Sequence, residues 1–292
     1  MTVIKEDADI ASMPYLERRL IVVSTKGIVK AVEEESKHEA HALGFEWTKF
    51  ATLAAKRVAQ FDPFVLAAGV GAEVGIHFFK AWAEARKNEL PIIQISLDQA
   101  KKLSFPPDHP LLGVVYVGHP YLPTVYETLA DFHKKMFEEK WREAVRLLVE
   151  LGATSIRAEQ ISGSSRDLAA LASGVIPSNG MVTNVKASAS MHSKAGKSFV
   201  FEGTFPGKKR PEIPQNLIWY PHEATWRMLA ENRLKDGMTS FSMEVQYSDD
   251  RGINANLKAS IEKTKLQMGG TFEGHESSIL KLEGEFLPIA SN

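Results

Sequence analysis

Between Met181 and Phe286 the chain repeatedly sets apolar side chains at every second position. Only an extended strand keeps such residues on one face, so this period of two is the strongest constraint in the sequence. In the first run Met181, Thr183, Val185, Ala187, Ala189, Met191, Ser193 and Ala195 face one way, and Val182, Asn184, Lys186, Ser188, Ser190, His192 and Lys194 the other. In the second run Phe241, Met243, Val245 and Tyr247 oppose Ser242, Glu244 and Gln246. A third, Ile253, Ala255, Leu257, Ala259 and Ile261, follows Asp249-Asp250-Arg251-Gly252, a hairpin-type turn with Gly252 where positive φ is needed. Leu280, Leu282 and Phe286 close the series. The expectation is a long-stranded antiparallel sheet interrupted by an amphipathic helix over 222–235. In that helix Trp226, Leu229 and Leu234 form the apolar side, Arg227, Glu231 and Arg233 the polar one, and Gly237 the stop.

The N-terminal half reads differently. Leu20–Ser24 is a short apolar run that fits a buried strand or a piece of helix, and 29–60 has helical composition. Pro91–Ser96 and Leu112–Val117 read as strands, separated by the rigid Pro-rich loop 105–110. Residues 124–151 read as one helix: Thr124 and Glu127 make a capping box, Leu129, Phe132, Met136, Phe137, Ala144, Leu147, Leu148 and Leu151 an apolar face, and Gly152 the C′ residue. With Thr154–Ile161 as a following strand, 112–161 has the order of a β-α-β unit. The fold class is therefore α+β, with a helical and β-α-β N-terminal half. A boundary at Pro177-Ser178-Asn179-Gly180 divides 1–176 from 177–292, with a single domain as the alternative.

Composition narrows function. The chain has 292 residues, a formal net charge of -1 and no cysteine. Disulfides, thiol nucleophiles and thiolate metal sites are excluded, and there is no global basic field for nucleic acid, which is not expected as a partner. Met1–Tyr15 lacks the basic start and apolar core of a signal peptide, so a cytoplasmic location is the expectation.

The motif search ends mostly in near misses. His38-Glu39-Ala40-His41 lacks the second histidine of a zinc-protease pattern at Ala42. Ala195-Gly196-Lys197-Ser198 imitates the end of a phosphate loop, but Met191 stands where the first glycine belongs. His109 and His119 flank one strand in Pro-bounded loops without a third ligand in register. The apolar segment 64–85 is interrupted by Glu73, His77 and Lys80, so it reads first as a core helix or a strand followed by a helix. Gly71 and Gly75 permit close helix packing. Alternatively Gly69, Gly71 and Gly75, with Asp98 as a ribose-binding acid, approximate a dinucleotide turn in which the third glycine arrives one residue late. No catalytic residue, metal or cofactor is assigned.

Three functional expectations follow. The first is a non-catalytic membrane-interacting or pore-forming-like protein. Its lipid-facing contacts would be Val185, Ala187, Ala189 and Met191 on one ribbon and Ile253, Ala255, Leu257 and Ala259 on another, with Lys208, Lys209 and Arg210 meeting an anionic surface. In composition alone, 181–205 and 239–268 resemble ribbons of perforin-like and aerolysin-like proteins, with no motif of either matched. The second is a soluble binding or assembly protein, using its sheet edges, the Gly/Ala face of 67–75 and the Trp-bearing helix against a protein partner or a second copy of itself. The third is a nucleotide-binding enzyme built on the glycine-rich turn.

Overall fold

The structure is a computed structural model that describes residues 2–3, 8–24, 81, 84–85, 88, 90–162, 192–194, 197–248, 251–264, 266–272 and 278–289. Its elements in chain order are β1 (Thr2–Val3), α1 (Tyr15–Arg18), β2 (Leu20–Ser24), β3 (Ile92–Ser96), α2 (Leu97–Ala100), β4 (Val115–Gly118), β5 (Tyr126–Thr128), α3 (Phe132–Glu150), β6 (Ala153–Ser162), β7 (His192–Lys194), β8 (Lys197–Thr204), α4 (Ala224–Asp236), β9 (Ser240–Tyr247), α5 (Ala255–Thr264) and β10 (Ser278–Phe286). Helices and strands mix, and one of the two sheets is wholly antiparallel, so the α+β class holds. The chain divides into two compact units: Met1–Phe132 with Gly252–Gly274, and His133–Arg251 with His275–Asn292.

The first unit carries a sheet of order β1-β3-β2-β4-β5. β2 and β3 run parallel, with Leu20 opposite Ile92 and Ser24 opposite Ser96, while β4 and β5 add antiparallel. Every residue of β2, β3 and β4 is buried. Strands covered on both faces read as continuous apolar runs, which is why Leu20–Ser24 shows no alternation. Ile21, Val23, Ile93, Ile95, Tyr116 and Tyr126 form one cluster. Beside it the buried Arg18 donates from both terminal nitrogens to the His119 carbonyl at 3.3 Å, and Tyr126 Oη donates to the Arg18 carbonyl at 3.1 Å. Ser96 ends β3 and caps α2: its Oγ accepts from Gln99 N while its own N–H donates to Gln99 Oε1. The segment 266–268 is tied to this unit by Val115 N to Gln267 O (2.8 Å), Gln267 N to Gly113 O (3.0 Å) and Ala130 N to Met268 O (3.0 Å).

The second unit is an antiparallel sheet of order β7-β8-β6-β10-β9. β9 shows the alternation expected of it: Phe241, Met243, Val245 and Tyr247 are buried and Ser240, Ser242, Glu244 and Gln246 exposed. α3 packs on the buried face through Trp141 against Phe201 and Phe137 against Tyr247, at ring separations of 5.7 and 6.3 Å. Glu143 of α3 accepts the main-chain N–H groups of Ile218, Trp219 and Tyr220, which fixes the loop leading into α4. Gly152 (φ 89°) and Gly237 (φ 69°) end α3 and α4 as the sequence indicates. Both need the left-handed backbone that glycine adopts without a Cβ clash.

Several sequence expectations are corrected. The run 253–261 is not a strand: Ala255–Thr264 is the helix α5. Its residues satisfy both periods, and Ile253, Leu257 and Ile261 lie four apart. Asn254 decides the matter, because its Oδ1 accepts from Asn256 N and Leu257 N and starts the helix. Gly252 does take positive φ, 71°, but the turn leads into a helix and not a hairpin. The long helix begins at Phe132, not Thr124. Tyr126 and Thr128 pair with Gly118 and Tyr116 in β5, and the turn into the helix is made by Thr128 Oγ1 accepting from Asp131 N. Consequently β4 and β6 belong to different sheets, and 112–161 forms no parallel crossover; the parallel pairings are those of β3 with β1 and β2. In α4 the buried stripe is Trp226, Leu229, Ala230 and Arg233, at helical spacings of three, four and seven, so Arg233 is inside and Leu234 outside. The boundary expected at 177–180 lies outside the described residues.

Candidate interaction groove

In the second unit the surface between α4 and β9 is concave. Two anchors hold α4 in place. Trp226 is fully buried, and its Nε1 donates to the Glu244 carbonyl at 3.3 Å. Arg233 is also fully buried, and it donates to three carbonyls: Leu151 through Nε (2.9 Å), Met238 through Nη1 (2.7 Å) and Leu287 through Nη2 (2.5 Å). Its guanidinium lies 4.8 Å from the centre of the Phe286 ring. Burial lowers the pKa of this group from its ordinary value. Three converging main-chain dipoles and the aromatic face compensate the buried charge without a carboxylate.

With α4 so held, a groove of about 370 Å³ opens between it and β9. Thr225, Met228, Leu229 and Asn232 line one wall, at positions one, four, five and eight of a single helical face. Met238 and the segment Ser240–Glu244 line the other. Met228 is 59% exposed at the lip, while Leu229, Phe241 and Met243 are buried in the walls.

β9 is one edge of its sheet, pairing only with β10 among the described residues. The parity of its hydrogen bonds is fixed by three contacts. Thr239 O accepts from Phe286 N and so points at the neighbouring segment, whereas Glu244 O and Gln246 O accept from Trp226 Nε1 and Lys140 Nζ and so point outward. Main-chain groups alternate sides along a strand, so Ser240 and Ser242 also turn theirs outward. Beyond Glu244 the edge is closed by those two side chains. From Ser240 to the Glu244 N–H no described residue pairs with it.

The residues singled out from the sequence are scattered. Val185, Ala187, Ala189 and Met191 lie outside the described residues, as do Gly69, Gly71 and Gly75. Asp98 is in the first turn of α2, paired with Lys101 at 2.7 Å. Ile253 is buried, Leu257 half-buried, and Ala255 and Ala259 exposed, so the four share no face. The second ribbon of the lipid-contact expectation is thus helical in this structure. Lys208 is bonded to Glu150, which raises its pKa, and lies 3.7 Å from Glu212; Lys209 and Arg210 are exposed. The two loop histidines are engaged separately. His109 Nδ1 is 2.7 Å from Tyr116 Oη, and His119 Nδ1 accepts from Tyr121 N and Leu122 N. Among the described residues no group of three His, Asp or Glu is placed to hold a metal, and no helix is long and apolar enough to cross a membrane.

Sequence reasoning named the sheet edges and the Trp-bearing helix as contact surfaces but missed the groove residues. The seven-residue spacing from Trp226 to Arg233 was the available signal for which side of α4 faces inward, and hence for Met228 standing at the margin. No family model, curated protein or solved structure matches the chain.

Proposed function

We propose that this protein is a non-catalytic binding protein that takes a segment of a partner polypeptide on the open edge of β9, beside α4. The observation that carries the reading is the run of outward main-chain groups from Ser240 to the Glu244 N–H, unpaired among the described residues and lying in the floor of a groove with methionine and leucine in its walls. An open edge is a template for another strand, and native proteins ordinarily shorten, charge or cover such edges. Here Trp226 and Lys140 cover one end and leave the other open next to an apolar wall. Strand addition supplies affinity through main-chain bonds and specificity through side-chain pockets, and this site offers both.

The test is to pan a displayed random-peptide library on the wild-type chain and on Ser242→Pro. Proline removes the one N–H that a docked strand would need at that position. The fold tolerates it, because the Ser242 N–H does not face β10 and proline is compatible with an edge strand when its N–H side faces solvent. The expected outcome is a set of peptides that bind the wild type and lose at least about tenfold in affinity for the variant. Binding that survives Ser242→Pro unchanged, or no peptide binding at all, rejects the reading.

A further inference from the structure

The solvent face of the second sheet points to the chemistry of the segment that docks. Cross-strand neighbours there alternate in sign. One row runs Glu202, Arg157, Glu283 across β8, β6 and β10 and reaches Ser242 on β9. The next runs Glu159, Lys281, Glu244 across β6, β10 and β9. Opposite charges facing each other across a ladder are favourable and like charges are not, so each row has the sign pattern of a satisfied sheet. The first row ends in a neutral serine. The second ends at the open edge in a carboxylate.

That carboxylate has no cation within ion-pair distance among the described residues. Its neighbour Lys281 is turned to Glu283, with Nζ and Oε1 2.5 Å apart. Glu244 therefore stands where a further strand would supply the next member of the row, and the sign due there is positive.

We infer that the groove selects an extended segment in which a lysine or arginine is flanked on both sides by apolar residues. This rests on the strand-addition reading above. Side chains alternate faces, so a basic residue on the solvent face puts its two neighbours on the opposite face. There they meet Met228, Leu229, Phe241 and Met243. A long basic side chain reaches Glu244 from the position directly across or from the diagonal one. Thioether side chains adapt to different shapes, so leucine, methionine and phenylalanine are all accommodated at the flanking positions, and the basic residue carries the sharper selection.

Calorimetric titration of three synthetic peptides tests this. The peptides alternate leucine and serine and differ only at one central solvent-face serine, which is left, replaced by lysine, or replaced by glutamate. Each is titrated into the wild type, Glu244→Lys and Ser242→Pro. On the wild type the lysine peptide binds about threefold to tenfold tighter than the serine peptide, and the glutamate peptide weaker by a similar factor. In Glu244→Lys the order reverses, and in Ser242→Pro all three lose binding. Equal affinity of the three peptides for the wild type, or an order that Glu244→Lys leaves unchanged, overturns the inference while leaving strand addition standing. Failure of all three peptides to bind the wild type, or binding that ignores Ser242→Pro, overturns both. Glu244→Gln, which removes the charge without adding one, abolishes the preference and guards against a folding artefact in the lysine variant.

Discussion

The two sheets solve the problem of covering a strand in opposite ways. In the first unit the parallel pair β2 and β3 and the adjoining β4 are buried at every residue. In the second unit β9 is buried at every other residue and, among the described residues, unpaired along one edge between Ser240 and the Glu244 N–H. A strand enclosed on both faces offers its fold only to its own core. A half-covered strand at an edge keeps main-chain groups and a charged face available to something else. The difference is why the proposed docking site falls in the second unit, where a half-buried edge strand lines a groove.

The contrast can be broken most severely at the anchors. Arg233→Ala leaves one buried and two partly buried carbonyls without this donor. Its cost is about 3–5 kcal/mol, because each uncompensated buried acceptor costs about 1–3 kcal/mol and relaxation recovers part. Urea denaturation reads the loss, and hydrogen exchange locates it in α4, β9 and β10. A smaller effect sharpens the contrast directly. In β2, Ile21→Ala costs about 2–5 kcal/mol, and its neighbour Val22 is also intolerant. In β9 the same step along the chain changes everything: Met243→Ala falls in the core range, whereas Glu244→Ala stays within about 0.5 kcal/mol. Equal costs at Met243 and Glu244 would refute the one-sided burial on which the groove reading rests.

A further expected effect is confined to the first unit and to alkaline pH. Burial pushes the Tyr126 hydroxyl up to about 12, the nearby Arg18 only partly offsetting it. The folded state thus holds this proton more tightly than the unfolded chain, whose tyrosine titrates near 10. The contribution is fully present below pH 10 and is lost as pH rises toward 12. Tyr126→Phe removes the bond to the Arg18 carbonyl and flattens the stability profile over that window. A variant whose profile still falls as steeply as the wild type would show that other groups dominate.

How much of this was legible in the sequence follows the same division. β9 and β10 were readable because half-burial writes itself as alternation. β2 was visible only as an apolar run, since enclosure on both faces erases the period that separates strand from helix. Residues 253–261 fit both periods at once, and the choice fell to Asn254, whose side chain caps the helix. The start of α3 was misplaced because Thr124 and Glu127 have the spacing of a capping box, while tertiary pairing of Tyr126 and Thr128 overrides it. Sheet edges in general and the Trp-bearing helix were named as surfaces, without singling out β9. The groove between that strand and the helix depends on which side of α4 turns inward, and the buried arginine that sets this looks polar in any sequence pattern.

One feature of connectivity reaches beyond stability. The chain leaves the first unit after Phe132, returns to it at Gly252 and leaves again after Gly274. β10, the strand that joins β6 to β9, belongs to the last of these passages. A messenger ending at Arg251 would therefore encode the groove helix and the edge strand but not the strand that holds that edge to its sheet. Neither unit corresponds to a contiguous stretch of coding sequence, so neither can be lost, duplicated or grafted onto another protein by a single cut. Whatever selects for the β9 edge and its groove must carry the other unit along with it.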